Sequence, residues 1–218
     1  MFKRIMKIGL LIVGLLIVLC VIGVFWLKSL DNQELFDFVY KHPLGIFDKN
    51  PNALLVETVS NITPGKALDV AMGEGRNAVW LATNGWDVTG FDISEEGLRQ
   101  ANEKAEKAGV KINAVLAASE NFDYGNERWD LIVLSYAWTP IPDAEYVTLL
   151  RNSLKPGGLI VFEHVLNTSS GKIPGATRAG EAKKIFNDFN ILSCEELTTR
   201  SDWGWEEKQP IVRVVARR

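Results

Sequence analysis

The sequence predicts an α/β protein: a doubly wound, mostly parallel seven-stranded sheet with helices on both faces, preceded by one transmembrane helix. Three observations carry this expectation. From Lys66 onward, short apolar runs alternate with segments of helical period. A glycine-rich turn follows the first of those runs, as in the ligand-binding turn of an open α/β sheet. Near the N-terminus, Ile8 to Leu27 is a stretch of twenty residues without one charge.

As a helix, that stretch would extend roughly 30 Å at about 1.5 Å per residue, the thickness of a bilayer core. A cleaved signal peptide needs a shorter apolar region and a small-x-small site, whereas this run ends in Phe25, Trp26, Leu27 and Lys28. Residues 1–28 therefore read as an uncleaved, single-pass membrane anchor with Trp26 and Lys28 at the interface. Next, DNQELFDFVYKH and NPNALLVETVSNI place apolar residues at helical spacing around the turn-rich HPLGIFDKNPN, which predicts two leading helices. Residues 29–50 form a linker and lid-like leading helix, with Phe36, Tyr40 and His42 in a segment expected to fold over the site.

Residues 51–218 form the main domain. KALDVA reads as a buried strand, RNAVWLATNG as a helix closing on Gly85, and WDVTGFD as a second strand. SEEGLRQANEKAEKAG is a helix capped by Ser94 and closed at Gly109, and VKINAVLA a third strand. WDLIVLSY gives a fourth strand and PDAEYVTLLRNSL a helix with Pro142 near its start. LKPGGLIVFEH is a turn and a fifth strand, AGEAKKIFNDF a further helix, and FNILSCEEL and QPIVRVVARR two closing strands. Short connections and right-handed crossovers turn this alternation into the doubly wound sheet.

The chain has 218 residues, 47% hydrophobic and 23% charged, with a formal charge of -3. It lacks a dense basic run interleaved with aromatics, so nucleic acid is excluded as an expected partner. Cys20 lies in the apolar run and Cys194 in a late strand, so the two are not expected to pair. No metal site is assigned, and the sequence gives no signal of oligomeric state.

The chemistry concentrates in DVAMGEGRN, residues 69–77, the turn after the first strand. Gly73 and Gly75 allow backbone to approach a ligand, and Asp92, at the end of the second strand, is placed to bind ribose hydroxyls. NAD and S-adenosylmethionine both fit so far. NAD presents a pyrophosphate, which favours the bare positive end of the following helix, whereas S-adenosylmethionine carries a sulfonium and an ammonium. Asp69 and Glu74 repel the first and attract the second. Each carboxylate also has a purely local role open to it, Asp69 capping the turn and Asp92 the next helix. Arg76 and Asn77 read as helix-start and surface residues, and Met72 as a wall or core residue.

DVAMGEGRN, followed by NGWDVTGFDIS, WDLIVLSY and KPGGLIVFEH, resembles the class I S-adenosylmethionine-dependent methyltransferases, especially small bacterial ones with a G-x-G-R-N turn. The resemblance covers roughly residues 50 to 218. It implies that Asp69 serves the methionine ammonium, that backbone at Ala71, Gly73 and Gly75 lines the methionine and ribose, that Asp92 takes the ribose hydroxyls, and that Ile93 packs on adenine. The sequence departs from the family twice. Ala71 stands where glycine is usual, at little cost if its φ is negative but with a clash if positive. Ala118, followed by Ser119 and Glu120, stands where an Asp often accepts from the adenine amino group; Ser119, and Ser135 at the end of the fourth strand, are counted with the expected cofactor contacts.

Methyl transfer is an in-line displacement that depends on holding the nucleophile near attack distance in a dry pocket, with a general base optional. Ser135, Tyr136 and Trp138, after the fourth strand, and Glu163 and His164, at the end of the fifth, border the expected acceptor side. Tyr136 and His164 are the candidate catalytic residues, although a core role for His164 fits equally. The expected function is methyl transfer to a small-molecule or lipid-like acceptor at a membrane. An NAD(P)-dependent oxidoreductase and a non-catalytic anchored domain are the alternatives. Lys3, Arg4 and Lys7 before the anchor outnumber Lys28 and Lys41 after it, which favours a cytoplasmic N-terminus. The cytosolic origin of the methyl donor, implied by the resemblance, outweighs that small bias, so the domain is expected to face the cytosol.

Overall fold

The computed structural model describes residues 30–42, 47–167, 173–204 and 208–218. Among the described residues no helix is long and apolar enough to cross a membrane; the anchor expected over residues 8–27 lies outside them.

Two helices lead, α1 (Asn32–Lys41) and α2 (Ala53–Val59). Helix α1 begins in a capping box: the Asp31 carboxylate accepts from the Glu34 N–H, and Glu34 accepts from the Asp31 N–H. Helix α2 begins where the Asn52 side chain accepts from the Leu55 N–H. There follow β1 (Lys66–Val70), α3 (Arg76–Thr83), β2 (Asp87–Asp92), α4 (Glu95–Lys107) and β3 (Asn113–Leu116). The chain continues with β4 (Trp129–Ser135), α5 (Ala144–Ser153), β5 (Leu154–Val165), α6 (Ala182–Ile185), β6 (Asn190–Thr199) and β7 (Gln209–Arg217). Ser94 caps α4 as expected, its hydroxyl accepting from the Gly97 N–H.

The seven strands lie in the order β3-β2-β1-β4-β5-β7-β6, with β7 antiparallel to both its neighbours and the other pairs parallel. This is the doubly wound, mostly parallel sheet that the strand–helix alternation predicts. The chain steps outward from β1 to β3 and restarts at β4, so the switch point lies between the carboxyl ends of β1 and β4. Strand periodicity divides the core in two. Leu68, Val70, Ile132, Leu134 and Phe162 face α5, whereas Ala67, Leu131, Val133 and Val161 face α2, α3 and α4.

Two elements differ from expectation. Of AGEAKKIFNDF only Ala182–Ile185 is helical, because Phe186 and Phe189 both enter the core and the chain tightens between them, the Phe189 N–H donating to the Phe186 carbonyl. The K-P-G-G turn is absorbed into β5 as an irregularity, pairing skipping from Trp129↔Leu154 to Leu131↔Leu159 with Gly157 at φ 83°.

Candidate functional site

The carboxyl ends of β1, β2 and β4 surround a cavity of about 110 Å³. Of the ten candidate residues, eight line it: Asp69, Ala71, Gly73, Asp92, Ile93, Ser119, Ser135 and Tyr136. Phe36 and Tyr40 of α1, Phe47, Trp138, and Asp202 and Trp203 of the β6–β7 loop complete the wall. The aromatic groups touch in sequence: Tyr40 stacks on Phe47, Phe36 meets Trp138 edge-on at 5.0 Å, and Trp138 meets Trp203 at 6.3 Å.

The turn after β1 is wound tightly, with Ala71 at φ 52°, Gly73 at φ 52° and Gly75 at φ 74°. Ala71 thus sits in the left-handed region, the unfavourable of its two expected alternatives. At Gly73 a Cβ would collide with the Tyr40 phenol, which lies directly over the turn. Gly75 is a correction to the expected cofactor contacts, since it does not line the cavity. It starts α3, and a Cβ there would come 2.7 Å from the Ala101 Cβ, so its bareness lets α3 approach α4.

His164 is the second correction. Even-numbered residues of β5 face α5 and α6, and His164 is wholly buried there, its ring against Phe162. Its Nε2 has no close hydrogen-bond partner among the described residues, and Gly175 closes over it. Burial pushes its pKa down to about 4. It does not reach the cavity.

The two turn carboxylates behave differently. Asp69 is buried, its Oδ2 lacks a partner among the described residues, and burial pushes its pKa up to about 7 against the pull of the Arg76 guanidinium and the Ala78 N–H. Glu74 is held 2.6 Å from the Lys49 ammonium and 2.8 Å from that of Lys104. Burial raises its pKa, but the two lysines outweigh burial and hold it below the usual range. Its charge is therefore neutralised within the protein, and the electrostatic preference of the turn rests on Asp69. Asp92 fills a local role, Oδ2 accepting from the Gly73 N–H at 2.8 Å and Oδ1 from the Ser94 N–H at 2.9 Å. Burial raises its pKa.

Beside them lies a polar network assembled from distant segments. Arg76 is not a surface residue: its side chain is 12% exposed and donates to the Asn50 carbonyl, the Ser135 hydroxyl and Asp202. Asn52 donates to both Asp202 and Glu163. Glu163, 1% exposed, also accepts from the Tyr136 hydroxyl at 2.8 Å and from Arg213. Burial, Glu163 and Asp202 together raise the Tyr136 pKa, so its phenol keeps its proton. Asp202 and Trp203 were not singled out from sequence. The strand order is the signal that finds them, because β6 runs parallel to β1 and its trailing loop must emerge at the ligand edge.

Residues 67–158 match the methyltransferase domain family. A probable S-adenosyl-L-methionine-dependent methyltransferase, TehB, of Haemophilus influenzae is 37% identical over 149 residues, 65% of this chain and 52% of the relative. An ubiquinone biosynthesis O-methyltransferase of Yersinia pestis is 31% identical over 160 residues, 72% of this chain and 66% of the relative. The chain spans about half the length of the TehB relatives it matches. The crystal structure of Haemophilus influenzae TehB superposes with TM-score 0.63 at 22% identity, covering 85% of this chain and 66% of that one. A structure from work on thioacetal formation during echinomycin biosynthesis gives TM-score 0.68 at 20% identity, covering 86% and 92%. Both structures share the fold. Sheet order, switch-point cavity and sequence match together define a class I S-adenosylmethionine-dependent methyltransferase domain, and S-adenosylmethionine is the cofactor of that family.

Proposed function

We propose that the chain is a membrane-anchored methyltransferase that passes a methyl group from S-adenosylmethionine to a small-molecule or lipid-like acceptor. Residues 1–28 are its anchor, 29–50 its linker and lid-like helix, and 51–218 its catalytic domain, facing the cytosol. The observation that carries the reading is Asp69, whose unpartnered Oδ2 and raised pKa make it a receptor for a cationic group in the switch-point cavity.

S-adenosylmethionine supplies, when bound, an electrophilic methyl group on a sulfonium. Asp69 takes the amino acid's ammonium, beside the Gly73 turn over which the Tyr40 phenol is laid. Asp92 serves the ribose with the lone pairs left after it has fixed the Gly73 and Ser94 amides. Ala71, Ile93 and Ser119 wall the remainder. On the acceptor side, the Ser135 hydroxyl accepts from Arg76 and so keeps its own proton to donate. Tyr136, clamped by Glu163, orients the acceptor rather than deprotonating it. Phe36, Trp138 and Trp203 exclude water. Rate enhancement then comes from proximity and desolvation, without a histidine base.

Titration calorimetry on the detergent-solubilised full chain tests the reading against the oxidoreductase alternative. S-adenosylhomocysteine is expected to bind and NADH not to bind, and the reverse preference would overturn it.

A further inference from the structure

The cavity, as its walls stand, is too small for the cofactor. It measures about 110 Å³, whereas pockets that enclose a ligand of this size run to about 300–1,000 Å³. Part of the wall must therefore give way, and its elements are not held equally. Strands β1 and β2 are buried beyond their first residues, and Asp202 of the β6–β7 loop is tied by Arg76 and Asn52. Helix α1 has no fully buried residue from Asn32 to Lys41, so α1 is the part that yields.

What α1 sets into the cavity is Tyr40. Its ring lies across two bare positions: a Cβ at Gly73 would fall 2.9 Å from the Tyr40 Cζ and closer still to the hydroxyl, and one at Gly97 would fall 3.1 Å from Cε2. Burial, then the neighbouring Asp92 and Glu74 carboxylates, raise the pKa of this phenol, so it stands neutral among the acids of the turn. The latch beside it is polar. Asp37 reaches the start of α4, its Oδ1 accepting from the Ser94 hydroxyl at 2.5 Å and from the Glu96 N–H at 3.0 Å, where the helix dipole favours a carboxylate. Gln100 of α4 donates to the Tyr40 carbonyl at 2.9 Å.

We propose that α1 is a latched gate on cofactor exchange, with Tyr40 the plug laid on the turn and Asp37 the latch whose release from α4 admits the ligand. The proposal rests on the assignment of the turn to the cofactor, and on neither the anchor nor the acceptor. Only the lifted form takes up ligand, so the measured affinity is the intrinsic affinity scaled by the lifted fraction. A plug that competes with the cofactor therefore weakens binding, whereas a side chain that grips the cofactor strengthens it. The two roles of Tyr40 predict opposite signs.

The test is stopped-flow tryptophan fluorescence on the detergent-solubilised full chain with S-adenosylhomocysteine, Trp138 lying against Phe36 of α1 as reporter. In the native chain the observed rate is expected to level off with ligand concentration, at the rate of lifting. Tyr40→Ala should tighten binding at least about fivefold, and Asp37→Ala should raise the plateau rate at least about fivefold. Helix α4 keeps its own Ser94 cap in both variants, and thermal melts check that they fold. The native plateau needs no variant and tests the gate by itself. Weaker binding by Tyr40→Ala would make Tyr40 a cofactor contact and overturn the plug. A native rate that climbs linearly, unmoved by Asp37→Ala, would overturn the latch. A native chain that binds no S-adenosylhomocysteine would remove the cofactor assignment and this proposal together.

Discussion

If Asp69 is the receptor for the cofactor's ammonium, binding must depend on pH, and the geometry fixes both sign and size. In the free protein its pKa is raised from 3.8 to about 7 by burial. A cationic ligand selects the ionised form, so binding expels a proton wherever the free carboxyl is protonated. If only that form binds, the ionised fraction is about one-eleventh at pH 6 and about ten-elevenths at pH 8, so affinity for S-adenosylhomocysteine rises about tenfold between them. Close to one proton is released per ligand at the lower pH. Calorimetry in phosphate and in Tris, whose ionisation enthalpies differ, measures affinity and proton release together. Stability without ligand has the opposite slope. The raised pKa makes the folded state hold its proton more tightly than the unfolded chain, so that contribution is present below about pH 4 and lost as pH rises through about 7. Asp69→Asn should therefore stabilise the free protein above pH 7, by roughly 4 kcal/mol from a shift of about three pH units, while weakening S-adenosylhomocysteine binding. A pH-independent affinity without proton release would refute the assignment of Asp69.

Ala71→Gly should raise stability to chemical denaturation by about 0.5–1 kcal/mol, the left-handed strain of alanine less the greater entropy of unfolded glycine. Gly75→Ala should cost about 1–3 kcal/mol by forcing α3 from Ala101, with S-adenosylhomocysteine affinity of the folded fraction unchanged; lost affinity at full stability would return Gly75 to the cofactor. His164 is depressed from 6.5 to about 4, so its contribution is present above about pH 6.5 and lost as pH falls through 4. His164→Leu should remove about 3 kcal/mol of that acid sensitivity in urea melts at pH 4 and 7 and leave cofactor binding intact. For topology, a cysteine replacing exposed Lys107, in a chain with Cys20 and Cys194 replaced by alanine, should react with an impermeant maleimide only after lysis.

What the sequence made legible is local. The strand–helix alternation, the Ser94 cap and the carboxylates at the ends of β1 and β2 depend on residues within one turn of each other, where period and spacing carry the information. What stayed hidden depends on distant partners. Glu74 meets Lys49 across 25 residues, and Arg76 meets Asp202 across 126, so no window along the chain reveals that one charge is cancelled and the other turned inward. The G-x-G pattern shows two glycines but not that Gly73 lies under the Tyr40 phenol at the cavity wall while Gly75 faces Ala101. His164 stands beside Glu163 at a strand end, and strand alternation sends them to opposite faces.

Methyl transfer itself tests the central claim most directly. The full chain in vesicles is incubated with methyl-labelled S-adenosylmethionine and a membrane lipid extract, beside the Asp69→Asn chain. Label should pass into the lipid phase with the native chain and fall to background with the variant. An unlabelled lipid phase and an equally unlabelled aqueous acceptor fraction, with S-adenosylhomocysteine binding intact, would contradict the account and leave a domain that binds the cofactor without using it.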